Sequence, residues 1–169
     1  LMAERLGGEF DEVRVRTLRA PYQSELASGS VDDSGWAYVA AFAATMGADE
    51  DYIASETQAQ METIRKRRAQ YTPIRAPIDP AGRIVIVIDD GLATGATMIS
   101  ALHGLRNSKP AKLICAVPVA PPETLEKIRA LADDVVCLQA PELVKAVGQF
   151  YRKFPQVEAA EVIALLKAG

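Results

Sequence analysis

The chain has 169 residues, 49% of them apolar and 24% charged, with a net charge of −3. A chain of this length buries about 69% of its unfolded surface, enough for one core without staples, and its ordinary composition excludes disorder, collagen and a disulfide scaffold. The acidic balance argues against bulk binding to nucleic acid; no apolar run reaches the ~18 residues of a membrane helix, and LMAERLGGEF carries no signal-peptide pattern.

In chain order, Leu1 to Leu6 reads as the end of a helix stopped by Gly7 and Gly8. Phe10 to Thr17 alternates Val13 and Val15 with Arg14 and Arg16, which predicts a strand. Arg19 to Gly35 is rich in Gly, Ser, Asp and Pro. It reads as a long loop, with a short strand near Val31, and such loops are often functional. Trp36 to Val39 is a second short strand. Asp51 to Tyr71 is helical, with Ile53, Met61, Ile64 and Tyr71 on one face and a basic last turn that suits the helix dipole. Pro73, Pro77 and Pro80 forbid its continuation.

Ile84 to Ile88 is five β-branched residues in a row, the pattern of a strand covered on both faces. A short loop leads to a helix over Thr97 to Arg106. Lys112 to Val119 and Val135 to Leu138 are further buried strands, separated by a helix over Pro122 to Ala132, and the remainder from Pro141 is mostly helical. Strands alternating with helices imply an α/β fold: a Rossmann-like parallel sheet with helices on both faces. Cys115 and Cys137 lie in apolar stretches, as small core residues do. His103 is the only histidine, so a metal pair is a weaker reading than reduced thiols in a cytoplasmic protein.

The chemistry concentrates in IVIVIDDGLATGAT, Ile84 to Thr97. A strand delivers Asp89 and Asp90 at its carboxyl end, where ligands of parallel sheets bind. Gly91, Ala93, Thr94, Gly95, Ala96 and Thr97 follow. Small residues let backbone N–H groups close around an anion, and a helix start adds free donors and the positive end of its dipole. The segment reads as a monophosphate cradle. It lacks the lysine of a triphosphate P-loop and the spacing of a dinucleotide turn. Two carboxylates beside a phosphate need something neutral or cationic between them. A ribose diol or a magnesium ion fits. The bland alternative is a tight strand-to-helix turn with solvated acids.

This stretch resembles the phosphoribosyl diphosphate (PRPP) signature of type I phosphoribosyltransferases. The likeness continues through VRTLRAPYQSELASGSV, AVPVAPPETLEKI and APELVKAVGQFYRKF, which are similar to a bacterial family of such enzymes with unassigned substrate. The resemblance implies a single phosphoribosyltransferase-like domain over 1–169. Within it lie a mobile loop at about 18–35, the PRPP motif at 84–97 and a helical hood at about 139–169. It implies that Asp89 and Asp90 bind the ribose hydroxyls and, indirectly, Mg²⁺, and that Gly91 and Ala93 to Thr97 bind the 5′-phosphate. Arg16 is implied to touch the diphosphate. The family's neighbouring lysine is Thr17 here, and its Pro-Arg-Gly-Gly diphosphate loop is not found, so the chain reads as starting in the helix after that loop. The implied activity is transfer of the 5-phosphoribosyl group from PRPP, with Mg²⁺, to a nitrogen nucleophile such as a nucleobase. A cytoplasmic homodimer acting on small molecules is expected, and a non-catalytic sensor of PRPP or a nucleotide monophosphate is the alternative.

Weaker signals have bland readings beside the functional ones. Ile64 to Arg68 is a solvated helix end or a nucleic-acid patch. Tyr22 to Glu25 is a substrate lid or only a loop. Gly148 to Tyr151 is a base-binding hood or core packing. Trp36 reads as a packing residue, and His103 as a satisfied histidine, not a base.

Overall fold

A computed structural model describes residues 1–168; Gly169, at the end of the expected hood segment, and the Glu25 side chain lie outside the described residues. Helix α1 (Met2–Leu6) ends on Gly7 in a left-handed conformation, as the sequence predicts. Strands β1 (Val15–Ala20), β2 (Gln23–Asp32) and β3 (Ala37–Val39) form an antiparallel sheet in the order β1-β2-β3. Helix α2 (Glu50–Tyr71) starts on Asp49, whose carboxylate accepts from the Tyr52 N–H. Then come β4 (Ile84–Ile88), α3 (Ala96–Asn107), β5 (Lys112–Val119), α4 (Pro122–Arg129), β6 (Asp134–Gln139) and α5 (Ala159–Ala168). The last three strands form a parallel sheet in the order β4-β5-β6. The α/β alternation and the helix-flanked parallel sheet are as expected.

The main core lies between this sheet and α3 and α4. Val87, Leu102, Leu113, Cys115, Val117, Leu125 and Ile128 are its buried centre. Leu18 and Val31, from β1 and β2, pack with Ile64 of α2 in a second cluster. The antiparallel sheet therefore has two apolar duties. Val15, Trp36 and Tyr38 serve the main core, and Leu18, Val31 and Ala37 face α2.

Three expectations need correction. First, the predicted loop over Arg19–Gly35 is largely strand. β1 and β2 form a hairpin closed by Pro21 and Tyr22, with Tyr22 at φ 63°, and β1 begins at Val15 instead of Phe10. Local composition favours a loop, but the small residues are buried and bonded: the Ser28 hydroxyl donates to the Leu18 carbonyl at 3.1 Å, and Ser28 and Ser30 are wholly buried. Second, β4 is covered on one face only. Ile84, Ile86 and Ile88 are 68%, 37% and 50% exposed, and Val136 and Leu138 of β6 are open as well. A run of β-branched residues fixes a strand and leaves its coverage to tertiary packing. Third, the segment after Pro141 is less helical than expected: a 3₁₀ turn (Val147–Phe150) and α5 are separated by irregular chain containing Pro155.

Leu102 is fully buried at the centre of the main core. Leu102→Ala should lower stability by about 2–5 kcal/mol through lost burial and a residual cavity, read as a lower urea midpoint at unchanged m-value. An unchanged midpoint would show that α3 is not held by this core.

Candidate functional site

The site begins where β4 ends. Asp89 follows Ile88, its N–H reaching the Ala116 carbonyl at 3.4 Å, and the Leu92 N–H donates to the Val119 carbonyl at 2.9 Å. These two bonds pin the loop between the carboxyl ends of β4 and β5. Gly91 has φ +153° and Gly95 φ +76°, conformations that side chains disfavour. Neither position has room for one. A Cβ at Gly91 would lie 2.7 Å from Val147 Cγ1 and 2.8 Å from Val119 Cγ1; one at Gly95 would lie 2.6 Å from Thr124 Cγ2. The loop is thus pressed against β5, α4 and the 3₁₀ turn, and only glycine allows the approach.

Gly95 is the N-cap of α3, and no side chain caps that helix. The Thr94 hydroxyl oxygen accepts a long bond, 3.4 Å, from the Ala96 N–H, which leaves its own O–H free to donate. Among the described residues, no acceptor takes the amide protons of Ala93, Thr94, Gly95, Thr97 or Met98. These are the unsatisfied donors of a helix start. Ala93, Thr94 and Thr97 are half-buried, so the loop is sheltered and still reachable.

The two acids have different surroundings. Asp90 is exposed, and its N–H donates to the Asp89 carboxylate at 2.9 Å. Burial pushes the Asp89 carboxyl up to about 6; the Asp90 N–H opposes that shift, and the Asp90 charge adds to it. A carboxylate raised in this way is short of donors or of a cation. That fits a sugar diol or a hydrated divalent ion beside it, and the chemistry of the pair suits magnesium.

Two residues that sequence reasoning did not single out for these roles hold the loop. The Tyr151 hydroxyl donates to the Asp90 carbonyl at 2.6 Å, and its ring packs on Phe154 with centroids 5.0 Å apart. Burial and the two aspartates keep this phenol protonated. The Thr124 hydroxyl donates to the Ala93 carbonyl at 2.6 Å. Neither carries a local pattern: AVGQFYRKF suggested only a hood or packing, and PETLEKI only a helix.

Arg16 lies elsewhere. On β1 its neighbour Thr17 pairs with Ser30, which faces α3, while Arg16 pairs with Val31, which faces α2. The Arg16 Nε donates to Gln60 of α2 at 3.1 Å, and burial together with Arg67 and Arg19 lowers its pKa. Among the described residues it hydrogen-bonds to none of Asp89 to Thr97. The alternation in VRVRT shows that the arginines share a face, but not which element covers it. The Tyr52 hydroxyl donates to the Arg19 carbonyl, and Glu56 accepts from the Arg19 N–H, so the hairpin is docked on α2. A cavity of about 330 Å³ opens there, lined by Arg19, Tyr22, Gln23, Tyr52, Glu56 and Gln60. It lies at the hairpin, away from the acids.

The other signals resolve simply. Arg65 to Arg68 are exposed on the end of α2. His103 and Trp36 stack with ring centroids 3.6 Å apart and planes 9° apart, but the buried His103 Nδ1 has no hydrogen-bond partner, so this histidine is packed and not satisfied as the sequence predicts. Both cysteines are free, and burial raises the Cys115 thiol to about 11, which makes it a poor nucleophile. No helix among the described residues is long and apolar enough to cross a membrane.

The raised carboxyl has a signed consequence. Folded protein holds the Asp89 proton to about pH 6, whereas unfolded chain releases it near 3.8. Between those values the native state binds more protons, so this group's contribution to stability falls as pH rises. Asp89→Asn should therefore gain stability relative to wild type from pH 4 to pH 6, in paired urea titrations. Parallel curves over that window would show that Asp89 is not desolvated.

Comparison with known proteins agrees with this architecture. The phosphoribosyl transferase domain model matches residues 2–155. Two Mycobacterium tuberculosis proteins, Rv0571c of strain H37Rv and MT0597 of strain CDC 1551, provisionally named phosphoribosyl transferases, are each 35% identical over 167 residues. That alignment covers 98% of this chain and 38% of each relative, so the chain spans well under half of their length. The crystal structure of TT1426 from Thermus thermophilus superimposes with a TM-score of 0.76 at 39% identity, covering 98% of this chain and 79% of that one. The chain with this loop of free amides behind paired acids, at the carboxyl end of a parallel sheet, belongs to the phosphoribosyl transferase domain family.

Proposed function

We propose that this domain binds PRPP with Mg²⁺ and transfers its 5-phosphoribosyl group to a nitrogen nucleophile such as a nucleobase, releasing diphosphate. One observation carries the reading: five backbone amides without acceptors, Ala93 to Gly95 with Thr97 and Met98, lie directly behind Asp89 and Asp90. The amides suit a phosphate dianion. The carboxylates suit two ribose hydroxyls, each accepting charge-assisted hydrogen bonds.

In this reading the domain fixes the sugar at both ends, so that the anomeric carbon meets its nucleophile in line. The nitrogen–carbon bond forms as the bond from that carbon to the diphosphate oxygen breaks, and the electron pair leaves with diphosphate. Positive charge develops on the ribose ring, and the acids beside it stabilise that charge. Asp89 and Asp90 would hold Mg²⁺ through the sugar or through water; the ion would neutralise the leaving group. No side-chain nucleophile is needed. The Tyr151 hydroxyl holds the Asp90 backbone in place. The family resemblance and the free thiols support a cytoplasmic setting, and the resemblance alone supports a homodimer.

A second reading has its own observation. Arg16, the residue expected at the diphosphate, is bonded to Gln60 on the α2 side of its strand. A domain that grips ribose 5-phosphate without handling diphosphate would be a sensor of PRPP or of a nucleotide monophosphate. Diphosphate release from PRPP and Mg²⁺ across a panel of bases separates the two: turnover supports the transferase, and binding without turnover supports the sensor.

Asp90→Asn removes a charged acceptor worth about 1.5–3 kcal/mol per hydrogen bond. It should weaken PRPP binding in the presence of Mg²⁺ by roughly 10- to 100-fold in calorimetry. Equal affinity in wild type and variant would remove the acids from the site.

A further inference from the structure

Thr124 sits in the first turn of α4 and is 4% exposed. Its hydroxyl does not serve its own helix. The N-cap is Pro121, which has no side-chain cap to offer, and the hydroxyl donates outward to the Ala93 carbonyl at 2.6 Å. Its Cγ2 methyl fills the space where a Cβ on Gly95 would stand, 2.6 Å away. One buried side chain therefore grips the loop at two points. The hydroxyl fixes the carbonyl of the first small residue, and the methyl supports the left-handed residue two positions later.

Both points bear on where amide protons go. A peptide unit is planar, so anchoring the Ala93 carbonyl fixes the N–H of Thr94 on the opposite side of the same plane. Supporting Gly95 from below fixes the turn that sets the amides of Ala96 and Thr97. Of the donors without a protein acceptor, Thr94 and Thr97 are among those Thr124 sets in this way, together with the Ala96 N–H, which reaches the Thr94 hydroxyl at 3.4 Å.

We propose that Thr124 is a positioning residue. It sets the amide donors of the Ala93–Thr97 loop for the 5′-phosphate of the sugar, without touching the ligand itself. The inference rests on the phosphate reading of that loop for its functional consequence, and on geometry alone for its structural one. Valine keeps the shape and the methyl and removes the donor; serine keeps the donor. Ser28→Ala supplies a matched control, because Ser28 is also a buried hydroxyl donating to a carbonyl, that of Leu18, in the hairpin.

The test uses two measurements on wild type, Thr124→Val, Thr124→Ser and Ser28→Ala. The first is the ¹H–¹⁵N signals of Ala93 to Thr97 without ligand. The second is calorimetric affinity for ribose 5-phosphate. Thr124→Val should shift the loop amides and weaken ribose 5-phosphate by about fivefold, the scale of one neutral hydrogen bond. Thr124→Ser should stay within about twofold of wild type on the same scale. Ser28→Ala should lower the thermal midpoint and leave the affinity unchanged. Loop amides in Thr124→Val that match wild type would overturn the proposal. So would an equal loss of affinity in Ser28→Ala, since the effect would then be general destabilisation. Wild type that fails to bind ribose 5-phosphate overturns the phosphate reading and with it the functional half of the proposal; the amide signals still decide the structural half.

Discussion

The loop after β4 must keep its amide protons unspent. Every other feature of the site follows from that constraint. An ordinary strand-to-helix turn would use those protons internally or cap them with a side chain. Here Gly91 and Gly95 take positive φ, and the cap position of α3 holds a residue with no side chain at all. Unpaired buried donors are costly, by about 1–3 kcal/mol each, so the surroundings must enforce the shape. They do so from below: Val119 and Val147 press on Gly91, and Thr124 presses on Gly95. That side is tightly packed, while the amides of Ala93 to Gly95, Thr97 and Met98 have no protein acceptor.

Charge is arranged to match. The acids stand on the strand side of the amides, one exposed and one desolvated enough to titrate near 6. The arginines of β1 face away, toward α2, where Arg16 meets Gln60 and repels Arg19 and Arg67. The loop's immediate charges are the carboxylates of Asp89 and Asp90, and among the described residues no arginine or lysine side chain hydrogen-bonds to it. Such a site suits a ligand bringing both an anion and neutral hydroxyls. It suits a bare polyphosphate poorly.

What could be read from the sequence was whatever has a local signature. IVIVI followed by DDGLATGAT carries strand, acids and small-residue loop in fourteen consecutive positions, and α2, α3, β5 and α4 carry plain periodicity or caps. The hairpin had the opposite character. Ser28, Gly29 and Ser30 resemble loop composition, yet they are small because backbone and helix lie against them: a Cβ on Gly29 would collide with the Tyr38 carbonyl oxygen. The side of β1 that Arg16 takes was hidden for a related reason. Alternation assigns residues to faces, but the covering element comes from tertiary packing. The same holds for β4, where Ile84, Ile86 and Ile88 lie on the open face. Thr124 and Tyr151 were invisible in their supporting roles because a single polar residue reaching 31 or 61 positions away leaves no pattern.

The hairpin and the loop are not independent parts. The Ser30 hydroxyl lies 2.6 Å from the Ala96 carbonyl and 2.5 Å from the Ser100 hydroxyl, all buried. Ser30 has one proton, and the carbonyl can only accept. The order is therefore fixed: Ser100 donates to Ser30, and Ser30 donates to Ala96. Ala96 is the first residue of α3, so this relay ties β2 to the turn that carries the free amides. Hydrogen bonds in series polarise one another, and a buried series broken anywhere leaves a stranded polar group. The antiparallel sheet consequently cannot slide along α3 without unmaking a buried bond at the mouth of the site. The same sheet is docked on α2 through Tyr52, Glu56 and Gln60, so it bridges the two helices through Ser30 on one face and the hairpin end on the other.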